Sequence, residues 1–299
     1  MTGTPQQITF GEMIRDAASQ ADTVLLGDTN HLLGYEMALD KMNGSLVDIA
    51  ESGVTHIYLE FDVKMQEQFT ALAEGRIDRD EFARNCTDIL AQGNPDYDRT
   101  HAETLMREKI APLIENGEKM GITVHAADFR HGDEYNTQIH DLETRIETMR
   151  EAEKGNAAPS DELLSLQREL LDLQDTKAHA RLDDRDLAGL VHDTARGEKS
   201  IVLFGADHLQ RDGDFENALG AGSLVRINLQ PTENSARVDQ AIIDAQTDPA
   251  RSTPDYNYRM DTQTLQSTTA DTAPADPLPP KAEDLGPGQG TPAPWPFRI

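Results

Sequence analysis

The sequence predicts an α/β fold in which a central, mainly parallel sheet is flanked by helices. Short apolar runs rich in Val, Ile and Leu alternate with longer segments whose apolar residues recur at helical spacing. Most of the runs follow a glycine or a polar turn and stop at a glycine or an acidic residue, which is typical of buried parallel strands. Such an alternation of strand and helix places helices on the faces of a parallel sheet.

The predicted strands share this apolar character and lie at residues 23–27, 55–60, 122–128, 200–205 and 223–229. Three helices are predicted between or before them, at residues 10–21, 34–52 and 100–120. In the first helix, Phe10, Met13, Ile14 and Ala17 fall on one face, as an amphipathic helix packed on a sheet requires.

Residues 135–190 follow a different pattern and predict a helical hairpin that projects from the sheet. An apolar stripe runs from Ile139 to Met149, and Gly155 and Pro159 then interrupt the helical pattern. Ser160 is a suitable N-cap for a second helix, whose Leu residues continue the stripe. A solvated arm without chemistry is the favoured interpretation of this pattern.

The predicted domain organisation is one α/β domain over residues 1–260, with the hairpin inside it, and a Pro-rich disordered tail over residues 261–299. The tail is rich in Thr, Ala, Pro and Gly and has no apolar periodicity. It ends in an aromatic segment containing Trp295 and Phe297. An unstructured end is the favoured interpretation, and a docking motif for a protein partner is the alternative.

The composition excludes several classes of function. Lys and Arg number 27 against 54 Asp and Glu, so the formal net charge of −27 disfavours binding to nucleic acid or to anionic lipid. A single cysteine, Cys86, rules out an internal disulfide and a Cys-rich zinc site. No apolar run approaches the length of a membrane span, and no secretory signal is visible at the start. We therefore expect a cytoplasmic protein, with signal-independent export left open.

Two similar motifs and one acidic residue mark the ends of predicted strands. Gly27 leads through Asp28 to His31 after the first strand, and Gly205 leads to His208 after the fourth. Glu60 ends the second strand. Because the carboxyl ends of parallel strands meet at one edge, His31, Glu60 and His208 are expected to lie together.

Two imidazoles and a carboxylate allow two kinds of chemistry. They form a suitable ligand set for a divalent metal such as Mn, Zn, Co or Fe, or a metal-free acid–base set. Taken singly, His31 is explained as well by an ordinary loop histidine as by a base or a metal ligand. Glu60 is equally well explained as a helix cap or an ion-pair partner.

Further polar residues are predicted to join this edge as substrate contacts. They are Asp28, Asp128, Arg130 and, more weakly, Arg185. Arg130 suits a substrate carboxylate or phosphate, or it neutralises Asp128 or Glu60. Residues 181–185 are interpreted mainly as a charged helix start. The other histidines lack a strand-end position, and His131 is retained as a secondary candidate.

The order of these motifs resembles the superfamily that contains erythromycin esterases, ChaN-like haem-uptake lipoproteins and Tiki metalloproteases. The matching segments are LLGDTNH, IYLEFD and VLFGADH, with ARLDDRDLAGLV before the last, and the resemblance covers about residues 10–230. The resemblance implies that His31, Glu60 and His208 form the functional centre. Asp28 stands where many members of the superfamily have Glu.

The activities that this resemblance implies are ester hydrolysis, metal-dependent peptide cleavage and haem binding. The leading hypothesis is hydrolysis of an ester or amide in a small-molecule or peptide substrate. In it, His31 activates water directly or through a bound divalent ion, and Glu60 orients His31 or ligates the metal. His208 completes the metal set or stabilises the oxyanion. A non-catalytic haem- or metal-binding protein is the second hypothesis. An interaction protein that uses the hairpin and the tail is the third.

Overall fold

The computed structural model describes residues 5–29, 33–92, 98–154, 158–211, 213–219, 224–246 and 249–268. Within these ranges the chain forms one mixed sheet. Its strands in chain order are β1 (Gln6–Gln7), β2 (Thr23–Asp28), β3 (Val54–Asp62), β4 (Thr123–Asp128), β5 (Lys199–Gly205), β6 (Leu224–Gln230), β7 (Tyr256–Arg259) and β8 (Thr264–Ser267).

The sheet confirms the predicted fold class. Its spatial order is β1-β8-β7-β6-β2-β5-β3-β4, and the strands from β7 to β4 pair in parallel. Only β8 and β1 are antiparallel to their neighbours. The predicted strands correspond to β2 through β6, so the apolar runs identified the parallel part of the sheet.

The helices surround this sheet and account for most of the remaining described chain. They are α1 (Phe10–Gln20), α2 (Leu33–Gly44), α3 (Leu46–Glu51), α4 (Gln66–Ala73), α5 (Arg79–Leu90), α6 (Arg99–Leu105), α7 (Ala111–Lys119), α8 (Asn136–Ala152), α9 (Asp161–Arg181), α10 (Arg185–Ala195), α11 (Asp214–Leu219), α12 (Glu233–Ala245) and α13 (Pro249–Ser252). A π-helical segment, Met106–Ile110, joins α6 to α7. The helix predicted over residues 34–52 is divided at Ser45, next to Gly44, because both residues are poor helix formers.

Side chains alternate between two apolar layers along each central strand. Leu26, Leu59 and Leu203 belong to the larger layer, with α1 to α7 packed on it. Their neighbours Leu25 and Tyr58 belong to the smaller layer, which α10 and α11 cover. Both faces of the sheet are therefore buried along these central strands.

The last strand of the sheet lies beyond residue 260, where the α/β domain was predicted to end. β8 pairs with β7, and β1 pairs with β8, so the chain start is joined to this edge. Residues 269–299, including Trp295, lie outside the described residues, and their disorder stays a prediction. No helix in the described part of the chain is long and apolar enough to cross a bilayer.

The predicted hairpin is formed by α8 and α9, which enclose a small apolar core of their own. Ser160 caps α9, because its hydroxyl accepts the Leu163 N–H at 3.2 Å. At the base of the hairpin, Gly132 has a φ of 87°, and a Cβ there would lie 2.9 Å from the Lys177 carbonyl oxygen. Only glycine suits this conformation and this approach. The close contact fixes the end of α9 against the sheet edge.

Candidate functional site

The ends of β2, β3, β4 and β5 meet at one edge of the sheet, as predicted. Asp28 lies beside Gly205 in the β2–β5 register, and Asp62 lies beside Asp128 in the β3–β4 register. The β3–β4 register is shifted between Leu59 and Asp62, which marks a bulge. Such bulges redirect side chains next to functional sites. Here the bulge lies at Glu60.

Glu60 is held by backbone and side-chain donors. Its Oε2 accepts the Gly205 N–H at 2.7 Å, so β5 positions the carboxylate across the sheet edge. Its Oε1 lies 3.4 Å from Nη2 of Arg181. Only 10% of the Glu60 side chain is exposed. A carboxylate this buried is stable because it is both hydrogen-bonded and charge-paired.

Arg181, the last residue of α9, connects two acidic side chains at the edge. Its Nη2 lies 3.4 Å from Glu60 Oε1 and 3.2 Å from Asp128 Oδ2. Nη1 also donates to Asp128 Oδ1 at 3.4 Å. A planar guanidinium with several donors suits this bridging position better than a lysine ammonium does.

Arg130 completes the acidic and basic cluster around Asp128. Its backbone N–H donates to Asp128 Oδ1 at 2.7 Å, and its φ of 55° is unusual for a residue with a side chain. Its Nε donates to Asp133 Oδ2 at 2.9 Å, and Nη1 lies 3.7 Å from Asp128 Oδ2. Burial lowers the pKa of Arg130, but the charges of Asp133 and Asp128 outweigh burial, and the net pKa is raised. Of the two roles predicted for Arg130, the structure shows acid pairing.

His208 lies in a 3-10 turn after β5 and is held by Asp184. Its Nδ1 is 2.8 Å from each carboxylate oxygen of Asp184, and the two side chains are 10% and 9% exposed. Because a carboxylate can only accept, the neutral imidazole carries its proton on Nδ1. Nε2 is then the acceptor nitrogen. Asp184 occupies the N-cap position of α10 but makes no cap hydrogen bond, so its side chain is reserved for His208.

The surroundings of His208 favour its charged form. Burial lowers the pKa of the imidazole, but the hydrogen bond and charge of Asp184, aided by Glu60, outweigh burial and raise it. Arg181 acts in the opposite direction. Phe204 packs edge-on against the imidazole with ring centroids 5.3 Å apart. The result is a carboxylate–imidazole dyad with one fixed orientation.

Tyr35 is a further polar residue of this edge that the sequence did not identify. It lies in the first turns of α2 and is 6% exposed. Burial, together with the charges of Glu60, Asp28 and Asp128, raises the pKa of its hydroxyl well above the usual range. The hydroxyl lies near the Glu60 backbone, yet forms no hydrogen bond of ordinary geometry within the described chain. Tyr35 therefore stays a neutral phenol at physiological pH.

The structure brings together most, but not all, of the residues predicted for the site. Glu60, Asp128, Arg130 and His208 meet at the edge, and Asp28 is buried there at the end of β2. His31 lies outside the described residues, so its position stays a prediction.

Arg185 is placed differently from its predicted role. Its Nε donates to Asp183 Oδ1 at 2.7 Å, and 69% of its side chain is exposed. The arginine that reaches the acids is Arg181. The segment 181–185 was interpreted as a charged helix start, and it instead supplies both Arg181 and Asp184. The secondary candidate His131 lies 3.1 Å from Asp186.

The acidic and imidazole donors of the described part of the site are engaged with other groups of the protein. Within the described ranges, no three His, Cys, Asp or Glu side chains are grouped so that they could hold a metal ion. Glu60 and Asp128 direct their oxygens at Arg181 and at backbone N–H groups, and His208 directs Nδ1 at Asp184. The place between the two carboxylates is taken by a guanidinium.

No family model matches the chain, and no curated protein matches its sequence. Among solved structures, it is similar to the type III effector HopBA1, at 15% identity over 77% of this chain and 86% of that one, with a TM-score of 0.43. It is also similar to ChaN of Campylobacter jejuni, a protein that shows cofacial haem binding. The identity is 15% over 76% of this chain and 88% of that one, with a TM-score of 0.46. A succinoglycan biosynthesis protein is similar at 14% identity over 73% and 68%, with a TM-score of 0.38. This likeness concerns the overall fold alone.

Proposed function

We propose that this protein is a hydrolase of ester or amide bonds that works by general acid–base catalysis. The observation that carries the proposal is the Asp184–His208 dyad at the carboxyl edge of the sheet. Its distances of 2.8 Å hold the imidazole in the tautomer whose Nε2 can accept a proton. A general base of this kind contributes roughly 10²–10⁴-fold to a rate.

The reaction proceeds in two proton transfers. Nε2 of His208 takes a proton from water as the water oxygen attacks the carbonyl carbon, and Asp184 stabilises the imidazolium that forms. The imidazolium then returns the proton to the leaving alcohol or amine as the C–O or C–N bond breaks. Within the described site, Arg181 and the neutral Tyr35 hydroxyl are the groups suited to stabilise the oxyanion.

His31 remains a predicted participant in this reaction. The leading hypothesis from sequence gave water activation to His31 and a metal-ligand or oxyanion role to His208. The carboxylate partner of His208 supports giving the base role to His208 instead. The charge of Glu60 then favours the imidazolium.

Hydrolysis of a panel of p-nitrophenyl esters and p-nitroanilides tests this proposal. His208→Ala should lower kcat/KM by about 100-fold or more, because the general base is lost, and the circular dichroism spectrum should not change. His179→Ala, which removes an exposed histidine from the hairpin, is the matched control. A His208→Ala variant with an unchanged rate would overturn the assignment.

Titration with haem distinguishes the alternative hypothesis, haem binding, from the proposed hydrolysis. Nε2 of His208 is also the atom that would ligate haem iron. A wild-type protein that hydrolyses no member of the panel, but gives a Soret shift that His208→Ala abolishes, would replace the hydrolase proposal with haem binding.

A further inference from the structure

We propose that Arg181 is a built-in cation of this site and that the helical hairpin delivers it. The guanidinium lies between Glu60 and Asp128, with Nη2 within 3.4 Å of a carboxylate oxygen of each. The importance of this cation for turnover rests on the proposed function, whereas its role as a cation is a property of the folded protein and is tested separately.

The need for a cation follows from the burial of the two carboxylates. The Glu60 and Asp128 side chains are each 10% exposed, and Arg181 lies within 3.4 Å of both. Removing one partner from a buried charge cluster leaves uncompensated charge and is strongly destabilising. Arg130 is 3.7 Å from Asp128 and directs its Nε at Asp133, so Arg181 is the guanidinium that joins Asp128 to Glu60.

The hairpin determines where this cation stands. Arg181 is the final residue of α9, one turn beyond Lys177. Lys177 is fixed by the approach of Gly132 to its carbonyl oxygen and by a 2.6 Å hydrogen bond from its Nζ to Asn136 Oδ1. The contacts at the hairpin base therefore hold Arg181 in register with Glu60 and Asp128. The hairpin is a component of the site, whereas its sequence favoured an arm without chemistry.

Two consequences distinguish a built-in cation from an ordinary surface ion pair. The wild-type edge should have little affinity for divalent cations, because a positive charge is already in place. Removing the guanidinium should expose two carboxylates to the same space and create affinity for a hard cation, which prefers oxygen ligands.

Calorimetric titration with MnCl2 tests both consequences. Arg181→Ala should bind Mn²⁺ at least about tenfold more tightly than wild type, and Arg181→Ala/Glu60→Gln should lose that gain. Arg185→Ala is the matched control, because Arg185 pairs with Asp183 and should leave Mn²⁺ binding unchanged. The melting temperature of Arg181→Ala should fall, and Mn²⁺ or guanidinium should restore part of the loss.

Two results would overturn the proposal. One is tight, stoichiometric Mn²⁺ binding by the wild-type protein that Glu60→Gln abolishes, since the edge would then be a metal site. The other is an Arg181→Ala variant with unchanged stability and no gain in Mn²⁺ binding. If Arg181→Ala does not fold, Arg181→Lys keeps a cation and should fold without Mn²⁺ affinity; Mn²⁺ binding by it would count against the proposal. These readouts need no turnover, so they stand apart from the His208→Ala assay.

Discussion

Two contrasting polar clusters lie along β3 and β4, one toward each end of the strands. At the carboxyl end, Glu60 and Asp128 face Arg181. At the amino end, His56 and His125 share a 3.0 Å hydrogen bond between Nδ1 and Nε2. Both clusters are largely buried, yet one is charged and the other consists of stacked neutral rings.

The amino-end cluster is an aromatic stack. The rings of Tyr58 and His125 are 4.6 Å apart and tilted by 12°, and His56 stacks on His125 at 5.3 Å. The Tyr58 hydroxyl lies 2.5 Å from Thr194 Oγ1 on α10. Burial raises the pKa of Tyr58 to about 12. These rings fill the space under α10, which is a packing role.

The contrast indicates that burial favours a neutral histidine unless a carboxylate partner reverses the direction of the pKa change. Burial, with a smaller contribution from the neighbouring His56, lowers the pKa of His125 to about 4. Burial also lowers the pKa of His208, but Asp184 reverses the direction. Helix α10 contacts both clusters. Asp184, which pairs with His208, directly precedes it, and Thr194, which contacts Tyr58, lies near its carboxyl end.

The largest effect is expected from Asp184→Asn, which removes the charge that distinguishes His208 from His125. An amide also no longer fixes the Nδ1–H tautomer, so kcat/KM should fall by about 10³-fold. Because His208 must be neutral to act as a base, loss of its raised pKa should move the acid limb of the pH–rate profile to lower pH.

The matched control for Asp184→Asn is Asp183→Asn. Asp183 pairs with Arg185, whereas the hydrogen bonds of His208 within the described residues go to Asp184. A pH–rate profile that responds equally to both variants would show that Asp184 does not set the protonation of His208.

A pH-dependent stability difference is expected from His125→Phe, which keeps a ring against Tyr58. The folded pKa of His125, about 4, lies below its unfolded value, so the unfolded chain binds more protons and wild-type stability falls from about pH 6.5 to pH 4. The loss of unfolding free energy between pH 7 and pH 4 that is due to His125 is about 3 kcal/mol, and it should be absent in the variant. Urea unfolding at pH 7 and pH 4 measures it.

His208 provides a comparison for His125, because its contribution to stability depends on pH in the opposite direction. Its folded pKa is raised, so its contribution to stability is complete below the unfolded pKa and is lost as pH rises through the folded pKa. The exposed His179→Gln serves as the control in both cases. Equal pH dependence in wild type and His125→Phe would contradict a buried, neutral His125.

The smallest effect is expected from Tyr58→Phe. This change removes one buried hydrogen bond to Thr194 and leaves the ring stack, so the free energy of unfolding should fall by about 1 kcal/mol. Hydrolysis should not change, because the Tyr58 hydroxyl lies against Thr194 near the carboxyl end of α10, whereas Asp184 precedes the start of that helix. A drop in kcat/KM as large as that of Asp184→Asn would mean that the two ends act together.

Sequence patterns predicted the parts of the molecule that depend on local periodicity. The apolar runs located β2 to β6, and the apolar stripe with Ser160 located the hairpin. β7 and β8 were not predicted, because four-residue strands that are only partly buried carry little pattern. The strand-end rule also placed Glu60, Asp128 and His208 at one edge.

Local apolar patterns are enough to predict an acidic and histidine-bearing edge, because strand ends and parallel pairing follow from them. The partners at that edge depend on the folded chain. Arg181 and Glu60 are 121 residues apart in the chain, and Gly205 and Glu60 are 145 apart. Their contacts depend on a bulge in β3 and on the seating of the hairpin at Gly132, and no local pattern encodes such distances. Asp184 likewise resembles an ordinary helix cap until the fold brings it to His208.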